Sequence, residues 1–373
     1  MLRRMKRWVV LGWMAGAVSV TAQAAEVRVE RVATGLQNPW GLAFIGEGRM
    51  LVTERAGRMR VVQANGQLGD PLAGLPAVDA VGQGGLLDVI TDRDFARNRT
   101  VYFCYAEPAA QGQKGNSTAL AAARLSDDAT RLEQVKVLFS QRPKFSSGAH
   151  FGCRIVDAGE GTLFLTLGDR FSRMADAQTL DNHHGKIVRI GKDGSAPKDN
   201  PFTQVAGALP EIWTLGHRNL QGAALAPDGQ LWTLEHGPQG GDELNRPAKG
   251  KNYGWPLITY GENYGGGAIG KGLTTQSGLE QPIHHWTPSI APSGMAFVTS
   301  TRYGRDWVGT LLVGSLKFGY LARLTLQGSQ VVSEERLLTD LKRRVRDVRQ
   351  GPDGFIYLLT DERQGELLRL VLP

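Results

Sequence analysis

Short runs of apolar, β-branched and aromatic residues recur along the chain, each set off by a turn signal. They are Arg49–Glu54, Thr100–Tyr105, Gly161–Leu167, Gln230–Glu235, Gly309–Gly314 and Gly354–Thr360. Runs of this length bounded by Gly, Pro and Asp predict strands, and six of them in equivalent settings predict one unit repeated six times. Ala226-Pro-Asp-Gly229 and Gly351-Pro-Asp-Gly354 place the same turn ahead of a strand,. Helical periodicity is weak; the best helix candidate, Thr118–Ser126, is short and Ala-rich, which disfavours an α/β fold. Near the start Glu26–Val32 alternates as a half-buried strand does, and Glu366–Leu372 at the end is strand-like. These two ends are expected to share the last sheet, so that a ring closes without a free edge.

The fold class this predicts is all-β, a six-bladed β-propeller with long top-face loops. Each unit would span about 58 residues, more than the ~40 to 50 of regular propeller repeats, which leaves room for functional loops. The 48 glycines are spread along the chain as many tight turns require, and Gly261–Gly272 reads as a long loop,. A pair of β-sandwiches is the competing architecture, but no mid-chain linker divides the sequence.

Residues 1–24 read as a signal peptide and 25–373 as a single propeller catalytic domain. Arg3, Arg4, Lys6 and Arg7 precede an apolar stretch from Trp8 to Val20, and Ala22-Gln23-Ala24 supplies small residues for cleavage,. The apolar stretch is shorter than the ~20 residues of a membrane-spanning helix, so export to the periplasm or outside the cell is expected, with no membrane span. Cleavage would lower the formal charge from +7 to +3. Lys342-Arg343-Arg344 is the one dense basic run, so no nucleic-acid partner is expected,. Cys104 and Cys153 could form a disulfide in an oxidising compartment or remain two buried thiols,.

The seven histidines all follow residue 149, and none stands in a compact zinc spacing,. Neither a Gly-x-Ser-x-Gly elbow nor a phosphate-binding Gly-rich loop with Lys is present, which weakens hydrolase and nucleotidase readings. His150 lies in a small-residue loop before one strand, and Asp169 ends the next, so the two could meet as base and orienter,. Arg218 and Asn219 offer donors suited to a developing oxyanion,. The segment Glu235–Asn245, followed by Asn252-Tyr-Gly-Trp-Pro256, could present carbonyl and carboxylate oxygens to calcium,. Alternation puts Arg344 and Arg346 on one side of an extended segment, and with Lys317 they suit a ligand with several carboxylates,.

In order and spacing these stretches resemble the soluble PQQ-dependent sugar dehydrogenases, most closely the aldose sugar dehydrogenase branch. The similarity runs from Gly35-Leu-Gln-Asn-Pro-Trp-Gly41 to Arg344-Val-Arg-Asp347. Its most specific pieces are Leu215-Gly-His-Arg-Asn-Leu-Gln-Gly222, His236-Gly-Pro-Gln-Gly-Gly-Asp-Glu243, Asn252–Pro256 and Ser315-Leu-Lys317. The resemblance implies His150 as general base with Asp169 behind it, and Arg218 polarising the quinone carbonyl. It implies cofactor contacts from Gln83, Asn219, Tyr264, Lys317, Arg344 and Arg346. It also implies calcium (Ca2+) at the carbonyls of Gly237 and Pro238, and a second, structural calcium at Glu243 and Tyr253.

The activity so implied is oxidation of an aldose at C1 to the lactone, with hydride passing to PQQ and then to an external electron acceptor. Ala149 stands where the glucose-oxidising branch carries an acidic residue, so the expected specificity is a broad range of aldoses. The expected state is a monomer. Rival readings are a calcium-dependent lactonase on the same architecture and a non-catalytic propeller that binds glycan or protein. The cationic Lys317, Arg344 and Arg346 speak against the first, and the second has no use for a His150–Asp169 pair.

Overall fold

The computed structural model describes residues 27–372, and the expected leader lies outside them. Six four-stranded antiparallel sheets make up the fold. Their first strands are Pro39–Phe44, Leu86–Thr91, Gly152–Gly159, Leu220–Leu225, Pro292–Phe297 and Val345–Gln350. Each packs against the next and the last against the first, which closes a ring of six blades around an axis. The chain thus forms a six-bladed β-propeller.

Each of the six apolar runs forms the second strand of its blade. Both faces of a propeller sheet are covered by neighbouring blades, so these strands are continuously apolar instead of alternating. Met50–Glu54, Thr162–Leu167 and Ile356–Thr360 are buried at every position. Both Pro-Asp-Gly turns join a first to a second strand. Gly229 and Gly354 each adopt φ 80° there, a left-handed value that glycine takes without steric cost. The first described strand, Arg28–Leu36, pairs antiparallel with the last, Gly365–Val371, so the first and last strands of the described residues share the sixth blade.

The Ala-rich segment corrects the helix candidate: Asn116–Leu125 is the third strand of blade 2. Ala119, Ala121 and Ala123 lie on one side with Phe103 and Tyr105, while Leu120 joins a different cluster. Alanine's helix preference is a weak local term, and here small side chains fit beside two large rings. Cys104 of blade 2 and Cys153 of blade 3 form a disulfide, with Cα atoms 5.9 Å apart.

Beneath the site, the axis is closed by charge. The Arg154 guanidinium meets Asp88 at 3.2 Å and Asp347 at 2.9 Å, and Arg349 meets the same two carboxylates at 2.6 and 2.9 Å. These side chains come from the inner strands of blades 2, 3 and 6. Gly294 leaves room for them, since a Cβ there would fall 2.4 Å from Asp347 Oδ1. Among the described residues no helix is long and apolar enough to cross a membrane.

Candidate active site

The topology gathers the chemistry on one face. The start of each first strand lies beside the end of the second, as Gly152 pairs with Leu167 and Leu220 with Glu235. Residues just before a first strand and just after a second strand therefore converge around the axis. His150, Asp169, Arg218, Asn219, Gln83, Arg344 and Asp361 all occupy such positions.

His150 Nδ1 lies 2.6 Å from Asp169 Oδ1. A carboxylate can only accept, so Nδ1 carries the proton and Nε2 keeps a free lone pair. Asp169 is itself fixed by the Phe171 amide at 2.8 Å and the Trp255 indole N–H at 2.7 Å. The backbone N–H of His150 donates to Gln83 Oε1 at 2.9 Å, and the edge of the ring meets Phe171. Burial holds the His150 pKa below the ordinary imidazole value; Arg218 and Arg170 push the same way, and Asp169 opposes them. At neutral pH the imidazole is therefore in the form that can take a proton.

Gly168 is part of this arrangement, because a Cβ there would come within 2.1 Å of the His150 carbonyl oxygen. Arg218 Nη1 donates to the carbonyl oxygens of Gly237 at 2.6 Å and His236 at 3.1 Å, and Nη2 reaches Tyr264 Oη at 3.3 Å. Two carbonyls thus already converge on positive charge. Outward from Arg218, Phe171, Met174, Pro238, Trp255, Tyr264 and Ile269 line an apolar cleft.

A central cavity is lined by Arg55, Arg344, Arg346, His236, Gln83, Asn219 and Gln221, with Trp40 and Asp361. Arg346 Nη2 pairs with Asp361 at 2.6 Å and Nη1 donates to Gln221 Oε1 at 3.0 Å, whereas its Nε is buried without a partner. Arg344 reaches the same Asp361 oxygen at 3.5 Å, so the two guanidinium groups do share a side. Three arginines against one carboxylate leave net positive charge facing the cavity, which suits an anionic ligand. Lys317 is not part of that lining. It is exposed, with its ammonium 5.2 Å from the Phe318 ring centre, next to Leu316, which does line the cavity.

Glu243 lies cross-strand from Glu235, and Asn245 Nδ2 donates to both, at 3.0 and 2.9 Å. Burial and the neighbouring Glu235 carboxylate push the Glu243 pKa up to about 8. Asn245 Oδ1 is buried without a partner, and Tyr253 stacks on His217, whose Nδ1 lies 2.9 Å from Glu235. Two adjacent carboxylates beside an unpartnered carbonyl oxygen suit a hard cation.

Sequence reasoning missed Arg55, Gln221, Trp255 and Asp361. Arg55 and Asp361 each directly follow a second strand, a position that the repeat could have flagged. Gln221 and Trp255 lay inside the distinctive stretches without a role.

Fold and site together define a propeller with a buried His150–Asp169 pair beside a cavity lined by three arginines. The chain belongs to the glucose/sorbosone dehydrogenase family, whose pattern matches residues 36–369, and it is accordingly an oxidoreductase of the sugar dehydrogenase type. It is 46% identical over 353 residues to the aldose sugar dehydrogenase YliI of Escherichia coli (strain K12), covering 94% of each chain. It is 28% identical to quinoprotein glucose dehydrogenase B of Acinetobacter calcoaceticus, over 88% of this chain and 84% of that one. The apo-form crystal structure of the soluble E. coli aldose sugar dehydrogenase superposes with a TM-score of 0.89 at 45% identity, covering 93% of this chain and 100% of that one. The PQQ-bound form of an aldose sugar dehydrogenase from Streptomyces coelicolor superposes with a TM-score of 0.75 at 27% identity, covering 93% of this chain and 99% of that one.

Proposed function

We propose that the protein is exported and oxidises a range of aldoses at C1 to the lactone, as a monomer, using PQQ and calcium. The observation that carries this reading is the buried His150–Asp169 pair, 2.6 Å apart, at the edge of a cavity whose lining is cationic. When bound, PQQ supplies a two-electron acceptor and calcium a Lewis acid.

The protein's own residues have separate tasks. Arg344 and Arg346 hold the carboxylates of the cofactor, with Lys317 at the mouth, and Gln83, Asn219 and Tyr264 orient it. The carbonyls of Gly237 and Pro238 would hold one calcium, the Gly237 oxygen exchanging its bond from Arg218 for the ion, and Glu243 with Tyr253 would hold a second, structural one. Nε2 of His150 takes the proton of the anomeric hydroxyl as the C1 hydride leaves. Asp169 stabilises the resulting imidazolium, and Arg218 offers a fixed positive charge to the oxygen that becomes anionic. The apolar cleft around Phe171, Trp255 and Tyr264 receives the sugar and excludes water.

The test is reconstitution. Purified apoprotein given PQQ and calcium should reduce a dye in the presence of an aldose, and should lose that activity on chelation. Activity that survives chelation and needs only a nicotinamide cofactor would refute the proposal.

A further inference from the structure

Arg170 follows Asp169 directly and is fully buried. Its Nη2 donates to the Ser147 carbonyl oxygen at 2.6 Å and to Asn116 Oδ1. Ser147 returns the contact, since its hydroxyl donates to the Arg170 carbonyl oxygen at 3.1 Å while accepting from the Ala149 amide at 3.1 Å. The guanidinium lies over the Phe151 ring, 3.7 Å from its centre. Arg170 therefore grips the residues on both sides of His150 from the loop that carries Asp169.

Two observations argue that this is more than packing. Burying a guanidinium is costly, and Nε and Nη1 of Arg170 have no hydrogen-bond partner,; an apolar side chain would fill the space at less cost. The backbone is also held in a conformation that bulky residues avoid, with φ 51° at His150, 59° at Arg170 and 68° at Phe171. Such angles cluster where surrounding contacts impose a functional geometry.

We propose that Arg170 is a positioning residue for sugar oxidation, a clamp that locks the loop before His150 onto the loop carrying Asp169. This rests on the reading of His150 as base. The charged groups facing His150 are Asp169 and Arg170 from the loop after the second strand of blade 3 and Arg218 from blade 4; Asp79 faces Arg170 from the segment between blades 1 and 2. Arg170 holds the His150 pKa down, so its removal lets that pKa rise.

The experiment compares Arg170→Met, Arg170→Lys, His150→Ala and the double variant His150→Ala/Arg170→Met. Each is loaded with PQQ and calcium, and reduction of the bound quinone by aldose is followed in a single turnover across pH. Arg170→Met should titrate with PQQ as the wild type does, yet reduce it about ten- to a hundredfold more slowly, the loss expected from a small misplacement. Its acid limb should move to higher pH, and NMR of the apoprotein should show His150 titrating at higher pH. Arg170→Lys should restore the position of the limb but only part of the rate, because an ammonium cannot stack over the Phe151 ring as the planar guanidinium does,.

Since Arg170 acts through His150, the double variant should be no slower than His150→Ala. Additive losses, or a wild-type rate and limb in Arg170→Met, would overturn the inference. A wild-type rate in His150→Ala would instead overturn the base assignment beneath it. Should Arg170→Met fail to fold by circular dichroism, Ser147→Ala takes its place, with a several-fold loss and the same additivity test.

Discussion

Asp169→Asn separates the charge of the dyad from its shape. The Asp169 carboxylate is fully buried and accepts from three donors: His150 Nδ1–H at 2.6 Å, the Phe171 amide at 2.8 Å and Trp255 Nε1–H at 2.7 Å. An asparagine keeps one acceptor oxygen. If that oxygen takes the Oδ1 position, His150 keeps its tautomer, and the amide NH2 is set against the Trp255 N–H. Leaving that buried donor unmatched should cost stability about 1 to 3 kcal/mol.

The larger effect falls on the chemical step. The imidazolium that forms on proton transfer loses a negative charge in contact with it. At 4 Å and an effective dielectric of 20 that interaction is about 4 kcal/mol; the retained hydrogen bond offsets part of it, leaving about 2 to 3 kcal/mol. This corresponds to a roughly 30- to 150-fold slower step. Asp169 also raises the His150 pKa against burial, so its loss should carry the acid limb of the rate to lower pH. The assay is single-turnover reduction of bound quinone by aldose, with a PQQ titration beside it that should not change. A wild-type rate, or an acid limb that moves to higher pH, would refute the reasoning.

Three further predictions rest on separate parts of the structure. Arg346→Ala should weaken PQQ binding about ten- to a hundredfold, the loss of a charge-assisted bond, whereas Lys317→Ala, at an exposed position, should weaken it only several-fold. Equal effects in PQQ titrations would contradict the different burial of the two cations. Glu243→Ala should shrink the rise in melting temperature on adding calcium to the wild type, because an ion bound only by the folded form stabilises it by mass action and one of the two proposed ions is lost; an undiminished rise would place the structural ion elsewhere. The Cys104–Cys153 bridge spans a sequence separation of 49, and on the chain-entropy model replacing both residues by alanine should lower stability by up to about 4 kcal/mol, measured by denaturant unfolding.

Local pattern carried much of this protein. The six second strands were legible because each is a short apolar run with its own turn signal, and the alternating start and strand-like end announced the shared last blade. The meeting of His150 with Asp169 and the shared side of Arg344 and Arg346 were legible as well, since the first two sit at neighbouring strand ends and the second two alternate along one extended segment. Only the tertiary structure decided the rest. It made the Ala-rich Asn116–Leu125 a strand, since the rings of Phe103 and Tyr105 beside it outweigh alanine's local preference for helix. It joined Cys104 to Cys153, set Asp361 between Arg344 and Arg346, and put the Trp255 indole on Asp169 from 86 residues away. It also left Lys317 exposed beside the cavity that Arg344 and Arg346 line. Periodicity records which residues a strand must bury, but a pairing between blades depends on the closed ring, which brings distant loops together on one face and leaves no trace in local spacing.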